Sequence, residues 1–305
     1  MVVYKKKLLI VLMLTLQCFS RTFCQVFPDY FQPLEFNPSL AGTTGGRCSF
    51  NYSTVLSRFN SNGEIFSNTF SYDQMIGQSK SGIGVLYNYS SDFLLTEKSI
   101  GLIFCHSFKF KDLIIKPAIE LESIKTKYDT YQNIFIVSES RNEFGFHASL
   151  IAMYHSLRTA IVLPRINRPL LTNFGNPNYN VKSPLSFFIY NALIIKLSDS
   201  GEGIYLMPEL GYMHKESAIT NYDFVSLGFH LRLHKFTNGI QINLFKRDGN
   251  EFIYSIAYRT KYIEPGIAYL LIEPSHLLYN STTVLNFFCR FKFNQKEEEK
   301  MSYLY

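Results

Sequence analysis

Tryptophan is absent from this 305-residue chain and cysteine is scarce, with five residues. Two of these, Cys18 and Cys24, fall in an N-terminal leader. The others, Cys48, Cys105 and Cys289, are widely spaced and odd in number, which excludes a disulfide framework and leaves room for one bridge at most. Beyond the leader, no apolar run reaches the length of a membrane-spanning helix, and no heptads or low-complexity linkers occur. Motifs of catalysis are missing as well: there is no Gly-x-Ser-x-Gly, Cys-x-x-Cys, phosphate-binding glycine loop or His-Glu-x-x-His. The seven histidines are scattered. His230 and His234 bracket a strand end instead of sharing a helix face. Neither an enzyme activity nor a cofactor nor a metal is expected. Basic surplus is also small. The formal charge of +6 falls to +2 without residues 1–24, which hold four basic residues and no acidic ones. No basic stripe remains to suggest nucleic acid.

What the chain does have is Phe and Tyr, 28 and 21 of them, a composition that favours strands. Its first 24 residues read as a signal peptide: Lys5-Lys6-Lys7, a short apolar stretch from Leu8 to Leu14, then polar residues, with cleavage near Cys24/Gln25. Residues 25–44 form a distinct segment rich in proline and aromatics. Proline fixes its own φ and pushes its predecessor to extended geometry, so a stiff, non-helical segment is predicted here. With Tyr30, Phe31 and Phe36 on it, such a segment needs a lumen or groove to lie in. Asn37 and Pro38 are its expected anchors.

From residue 45 to 293 the pattern has period two. Ile83, Val85, Tyr87 and Tyr89 share one strand face, and Ile100, Leu102, Phe104, Phe108 and Phe110 another. At the end of this stretch, Leu285, Phe287, Cys289, Phe291 and Phe293 alternate with Val284, Asn286, Phe288, Arg290 and Lys292. About fourteen such strands can be placed, many of them long enough to cross a membrane at a tilt. The links after even-numbered strands are short. The two longest, Thr126–Arg141 and Arg165–Leu185, follow odd-numbered ones. An all-β, antiparallel outer-membrane barrel follows, with both termini in the periplasm and an extended N-terminal segment lining or plugging the lumen. Phe293 marks the terminus of the barrel-closing strand. A charged tail, 294–305, comes after it.

The run Phe31-Gln32-Pro33-Leu34-Glu35-Phe36-Asn37-Pro38-Ser39-Leu40-Ala41-Gly42 resembles the N-terminal pattern of the PorP/SprF family of type IX secretion system membrane proteins. The likeness rests on Phe31, Pro33, Asn37, Pro38, Ala41 and Gly42. It continues in Ser71-Tyr72-Asp73, in the Gly82-Ile83-Gly84 strand and in Ile161-Val162-Leu163-Pro164-Arg165, where Arg165 replaces the family's usual histidine. The resemblance implies an outer-membrane barrel without enzymatic activity. Such a barrel anchors or helps export a secreted surface protein, such as a gliding adhesin, by binding its C-terminal domain, and works with periplasmic secretion components. From another class, a barrel conducting a small solute remains open.

Candidate contact residues lie in the two long links: Tyr128, Tyr131 and Phe135 in the first, and Arg165, Arg168, Phe174 and Tyr179 in the second. Exposed aromatics mixed with Arg suit a protein-binding surface. The same residues could instead fold inward over the barrel mouth. Glu120 and Glu122 share a strand face and are expected in the lumen.

Overall fold

A computed structural model describes residues 33–43, 45–56, 66–77, 80–91, 95–132, 135–172, 181–182, 185–197, 202–215, 222–235, 238–247, 251–272 and 282–293. Fourteen antiparallel strands close into a barrel. In chain order they are β1 (Gly46–Leu56), β2 (Phe66–Ile76), β3 (Ser81–Ser91), β4 (Leu95–His106), β5 (Leu113–Gln132), β6 (Phe135–Tyr154) and β7 (Leu157–Leu163). Then come β8 (Ser186–Leu193), β9 (Glu202–Lys215), β10 (Tyr222–Lys235), β11 (Asn238–Arg247), β12 (Glu251–Arg259), β13 (Ile263–Ile272) and β14 (Thr282–Phe293). Each pairs with its chain neighbours, and β1 pairs with β14 from Gly46↔Phe293 to Leu56↔Thr283, so no edge is left at the seam. Two short pieces extend this wall: Phe108–Phe110 continues β4 along β5, and Ile195–Lys196 continues β8 along β9.

Period-two alternation sorts the side chains as a membrane barrel requires. On β14, Val284, Asn286, Phe288, Arg290 and Lys292 are buried inside, while Phe287 and Phe291 are exposed outside. On β3, Ile83, Val85 and Tyr87 face out and Leu86 faces in. With lipid outside, the exposed apolar band is the expected surface and the polar residues belong in the lumen. Phe108, Phe110, Tyr154 and Tyr262 stand exposed at the end that carries the short turns, doing the girdle's work without tryptophan.

Three expectations need correction. Thr126–Arg141 is not a loop: β5 and β6 run for 20 residues each and pair throughout, with Tyr128 opposite Glu139, Tyr131 opposite Ile136 and Gln132 opposite Phe135. Aromatic and β-branched residues at 128, 130, 131, 135 and 137 keep strand chemistry going to the tip. Second, residues 33–43 are not wholly extended. Pro33–Phe36 forms one α-helical turn and Pro38–Leu40 a 3-10 turn. Proline is tolerated in the first helical turn, where its missing N–H has no partner to lose. Third, Arg165 points into the lumen instead of standing on an outer loop. The signal peptide, Phe31, Phe174, Tyr179 and the tail 294–305 lie outside the described residues.

Candidate functional site: the lumen and its N-terminal segment

Residues 33–43 run along the inward faces of the first half of the barrel. The site starts from two prolines. Each opens a tight turn, and Asn37 between them caps the second, its Oδ1 accepting from the Ser39 N–H at 3.0 Å. With Asn37 thus oriented, its Nδ2 donates to the Tyr190 hydroxyl on β8 at 2.9 Å. That hydroxyl also accepts from the buried Arg158 guanidinium of β7. One residue further, the Ser39 N–H and hydroxyl meet the Ser149 hydroxyl of β6 at 3.0 and 2.7 Å. Phe36 packs on the rings of Phe188 and Tyr190, at 5.3 and 5.7 Å between centroids.

Past the second turn the backbone itself is gripped. The Ala41 carbonyl accepts from Lys116 Nζ at 2.6 Å and from Cys105 Sγ at 3.1 Å. The Gly42 N–H donates to Asp73 Oδ2 at 2.7 Å, and the other carboxylate oxygen of Asp73 accepts from Arg47 Nε at 2.9 Å. Gly42 has φ +68°, and the chain passes so close to β3 that a Cβ on Gly82 would lie 2.2 Å from the Ala41 carbonyl oxygen. Two glycines therefore permit this approach. Leu34, Leu40 and Ala41 are fully buried against Leu86, Ile103, Ile151 and Met153.

Above this segment sits a second group. Glu35 accepts from Thr69 Oγ1 at 3.0 Å. Arg165, in a left-handed conformation at φ +46° just after β7, reaches inward. Its guanidinium bridges Glu122 on β5, with Nε at 2.9 Å, and Glu97 on β4. His147 of β6 holds the same Glu122 oxygen at 2.9 Å. Glu120 is 1% exposed, with the His147 ring 3.8 Å away. Asn167 replaces a neighbouring strand at the end of the β6–β7 ladder. It donates to the Phe144 carbonyl at 2.7 Å and accepts from the Phe146 N–H at 2.9 Å. In the second half of the barrel inward polar groups contact one another from strand to strand. His230 contacts Asn243 and Glu209, Asn243 donates to Ser255, and Glu264 is ringed by Arg259, Arg290 and Lys292.

Of the residues singled out in the sequence, Asn37, Pro38, Ala41 and Gly42 come together against the wall. Pro33 opens the first turn. Tyr128, Tyr131 and Phe135 lie on the long β5–β6 hairpin, and Arg168 is exposed beside the inward turn at φ +50°. Phe293 stacks on Tyr72 across the closing seam at 5.8 Å. Asp73, Lys116, Ser149 and Tyr190 were missed as partners of the segment. Their signal was a polar residue at an inward position of an alternating strand. Among the described residues no cluster of metal-ligand type occurs, and the three cysteines are free thiols.

A closed antiparallel barrel with an apolar outer belt and a charged interior is an outer-membrane β-barrel, and the protein belongs in that membrane. No family profile and no curated protein matches the sequence. Solved structures do resemble it. "CymD monoaromatic hydrocarbon channel" aligns over 89% of this chain and 95% of its own at 10% identity, with a TM-score of 0.54. The toluene transporter TbuX of Ralstonia pickettii aligns over 85% and 93% at 11% identity, TM-score 0.52. A FadL homologue of Pseudomonas aeruginosa aligns over 81% and 90% at 9% identity, TM-score 0.50. At such identities the likeness is one of fold.

Proposed function

We propose that this protein is an outer-membrane transport barrel whose lumen is closed at the short-turn end by residues 33–43 and opened by displacing them. The observation that carries this reading is the seat itself. The segment is held across strands β2 to β8 by separable polar contacts to Asp73, Lys116, Ser149 and Tyr190 as well as by Leu34 and Leu40. The likeness to barrels described as channels and transporters supports it. Their hydrocarbon cargo does not transfer well, because ion pairs such as Arg47–Asp73, Arg165–Glu122 and Lys292–Glu264 line this lumen. A polar cargo suits such walls better. In planar bilayers the wild-type chain should be nearly silent. An Asn37→Ala/Asp73→Asn variant should conduct at least tenfold more, and silence of both would overturn the reading.

A second reading is that the barrel anchors or helps export a type IX secreted protein. It is favoured by the fact that the residues carrying the PorP/SprF resemblance, Asn37, Pro38, Ala41 and Gly42, have a physical task in the lumen seat. On this reading the partner is the C-terminal domain of a secreted protein, met at the outer mouth, with periplasmic components at the other end. Affinity capture of the tagged protein from solubilised outer membranes decides between them. Recovery of a secreted protein with a C-terminal sorting domain supports the anchor, and a conducting barrel without a protein partner supports the channel.

A further inference from the structure

On the long-loop side of residues 33–43 the lumen holds more carboxylates than cations. Going up β5 from the short-turn end, the inward positions run Lys116, Ala118, Glu120 and Glu122. Lys116 is committed to the Ala41 carbonyl. Glu120 and Glu122 share their surroundings with Glu35 of the N-terminal segment, and Glu97 of β4 lies within electrostatic reach of Glu35. Two cations stand in this group. Arg165 is spent, since all three of its nitrogens donate to Glu97 and Glu122. His147 holds Glu122 through one ring nitrogen at 2.9 Å, while the other stays 3.8 Å from Glu120. Among the described residues no other ion pair reaches these carboxylates. Even with a charged imidazole, four carboxylates face two cations.

Two further observations point to a ligand. Glu120 is 1% exposed, yet neither of its oxygens has a hydrogen-bond partner. A buried carboxylate without donors is costly, so this one calls for a cationic partner. Glu35 is exposed although Thr69, Glu97, Glu122 and Arg165 are gathered about it, so it borders an opening inside the barrel. The carboxylates do not converge as ligands of one ion do: no group of three metal-ligand side chains forms among the described residues. Charges spread along a chamber match cationic groups spaced along a carbon chain, each pairing with its own carboxylate. We propose that this chamber binds an organic dication, with one amine or guanidinium on Glu35 at the open side and the other on Glu120 behind His147. Since Glu35 belongs to the segment and Glu120 to the wall, a bound dication bridges the two. Binding stands by itself; that such a dication is the cargo rests on the transport reading.

Calorimetric titration of the full barrel in detergent micelles tests this, with putrescine as probe and butanediol, succinate and magnesium chloride as comparisons. Putrescine should bind at least tenfold more tightly than the diol or the dianion of the same carbon chain. Glu35→Gln and Glu120→Gln should each weaken putrescine about tenfold, the effect of one lost ion pair in a partly buried site. Glu35→Gln retains an acceptor for Thr69 and sits on the exposed side of the segment, so it should fold even if Glu120→Gln does not. Equal binding of putrescine and butanediol, or putrescine binding untouched by Glu35→Gln, overturns the site. Magnesium bound as tightly as putrescine overturns its assignment to an organic dication. Passage is read separately, in planar bilayers. The Asn37→Ala/Asp73→Asn barrel should be cation-selective by its reversal potential in a salt gradient, and adding Glu35→Gln should reduce that selectivity. Putrescine binding to barrels that never conduct supports the site and overturns the transport reading. Conducting barrels that bind no putrescine overturn the site alone.

Discussion

The two halves of the lumen solve the same problem differently. From β3 to β8, inward-facing Leu86, Ile103, Ile151, Met153 and Tyr190 form one apolar cluster with Leu34, Leu40 and Ala41 of the N-terminal segment. In the later strands, Phe245, Ile253, Ala257, Ala268, Leu270, Val284 and Phe288 cover one another, wall against wall. Charges follow the same division. Asp73 ties the segment to Arg47, whereas Glu264 meets, among the described residues, Arg259, Arg290 and Lys292 of the wall. One half is thus lined by residues 33–43, and the other packs strand against strand. An inward apolar residue in a barrel is costly if it faces water, so the first half depends on its insert in a way the second does not.

The largest effects should come from the buried carboxylates. Removing one partner of a buried ion pair leaves an uncompensated charge at a cost of about 3–5 kcal/mol. Glu264→Ala strands several cations at once and should lower barrel stability most, while residues 33–43 stay inaccessible to a thiol reagent aimed at a Ser39→Cys reporter. Asp73→Ala should cost a similar amount and also expose that reporter. If Glu264→Ala exposed the reporter equally, the two halves would not be separable. The apolar pair comes next. Leu40→Ala and Leu270→Ala each truncate a side chain at or near full burial and should cost about 2–5 kcal/mol. Only the first should raise bilayer conductance, because only the first loosens the insert.

The sequence made the wall legible because period two survives in every strand long enough to count. The two faces of β3 and of β14 were readable residue by residue. Where it misled, the reason is local. Thr126–Arg141 carries Lys127, Asp129, Asn133, Ser138 and Ser140, which read as a loop, yet its backbone keeps the β5–β6 ladder to the tip. Arg165 follows a proline after a strand of seven residues, and the short strand places it beside the lumen carboxylates. That depends on where β7 ends, which alternation does not tell. Asn37 and Pro38 were recognisable as anchors from their chemistry. Tyr190, the partner of Asn37, and Ser149, the partner of the adjacent Ser39, lie 153 and 110 residues away from them, and only the closed barrel brings them near.

The smallest change tests the finest part of the comparison. Asn37 does two things at once: its Oδ1 caps the turn at Ser39 and its Nδ2 reaches Tyr190. Asn37→Ala loses both and should cost about 0.5–2 kcal/mol, the range of a lost cap. Asn37→Asp keeps the acceptor for Ser39 but has no donor for the Tyr190 hydroxyl, which still receives the Arg158 guanidinium. Because Tyr190 keeps that donor, the aspartate should cost less than the alanine in thermal unfolding. Tyr190→Phe removes the hydroxyl that serves both Asn37 and Arg158, so it should cost more than Asn37→Asp. If the alanine and aspartate variants unfold together, the cap is immaterial and the contact with β8 alone seats the segment. If Tyr190→Phe is silent, the cap and the apolar contacts suffice, and the first half holds its insert mainly by the burial that the second half uses within its own wall.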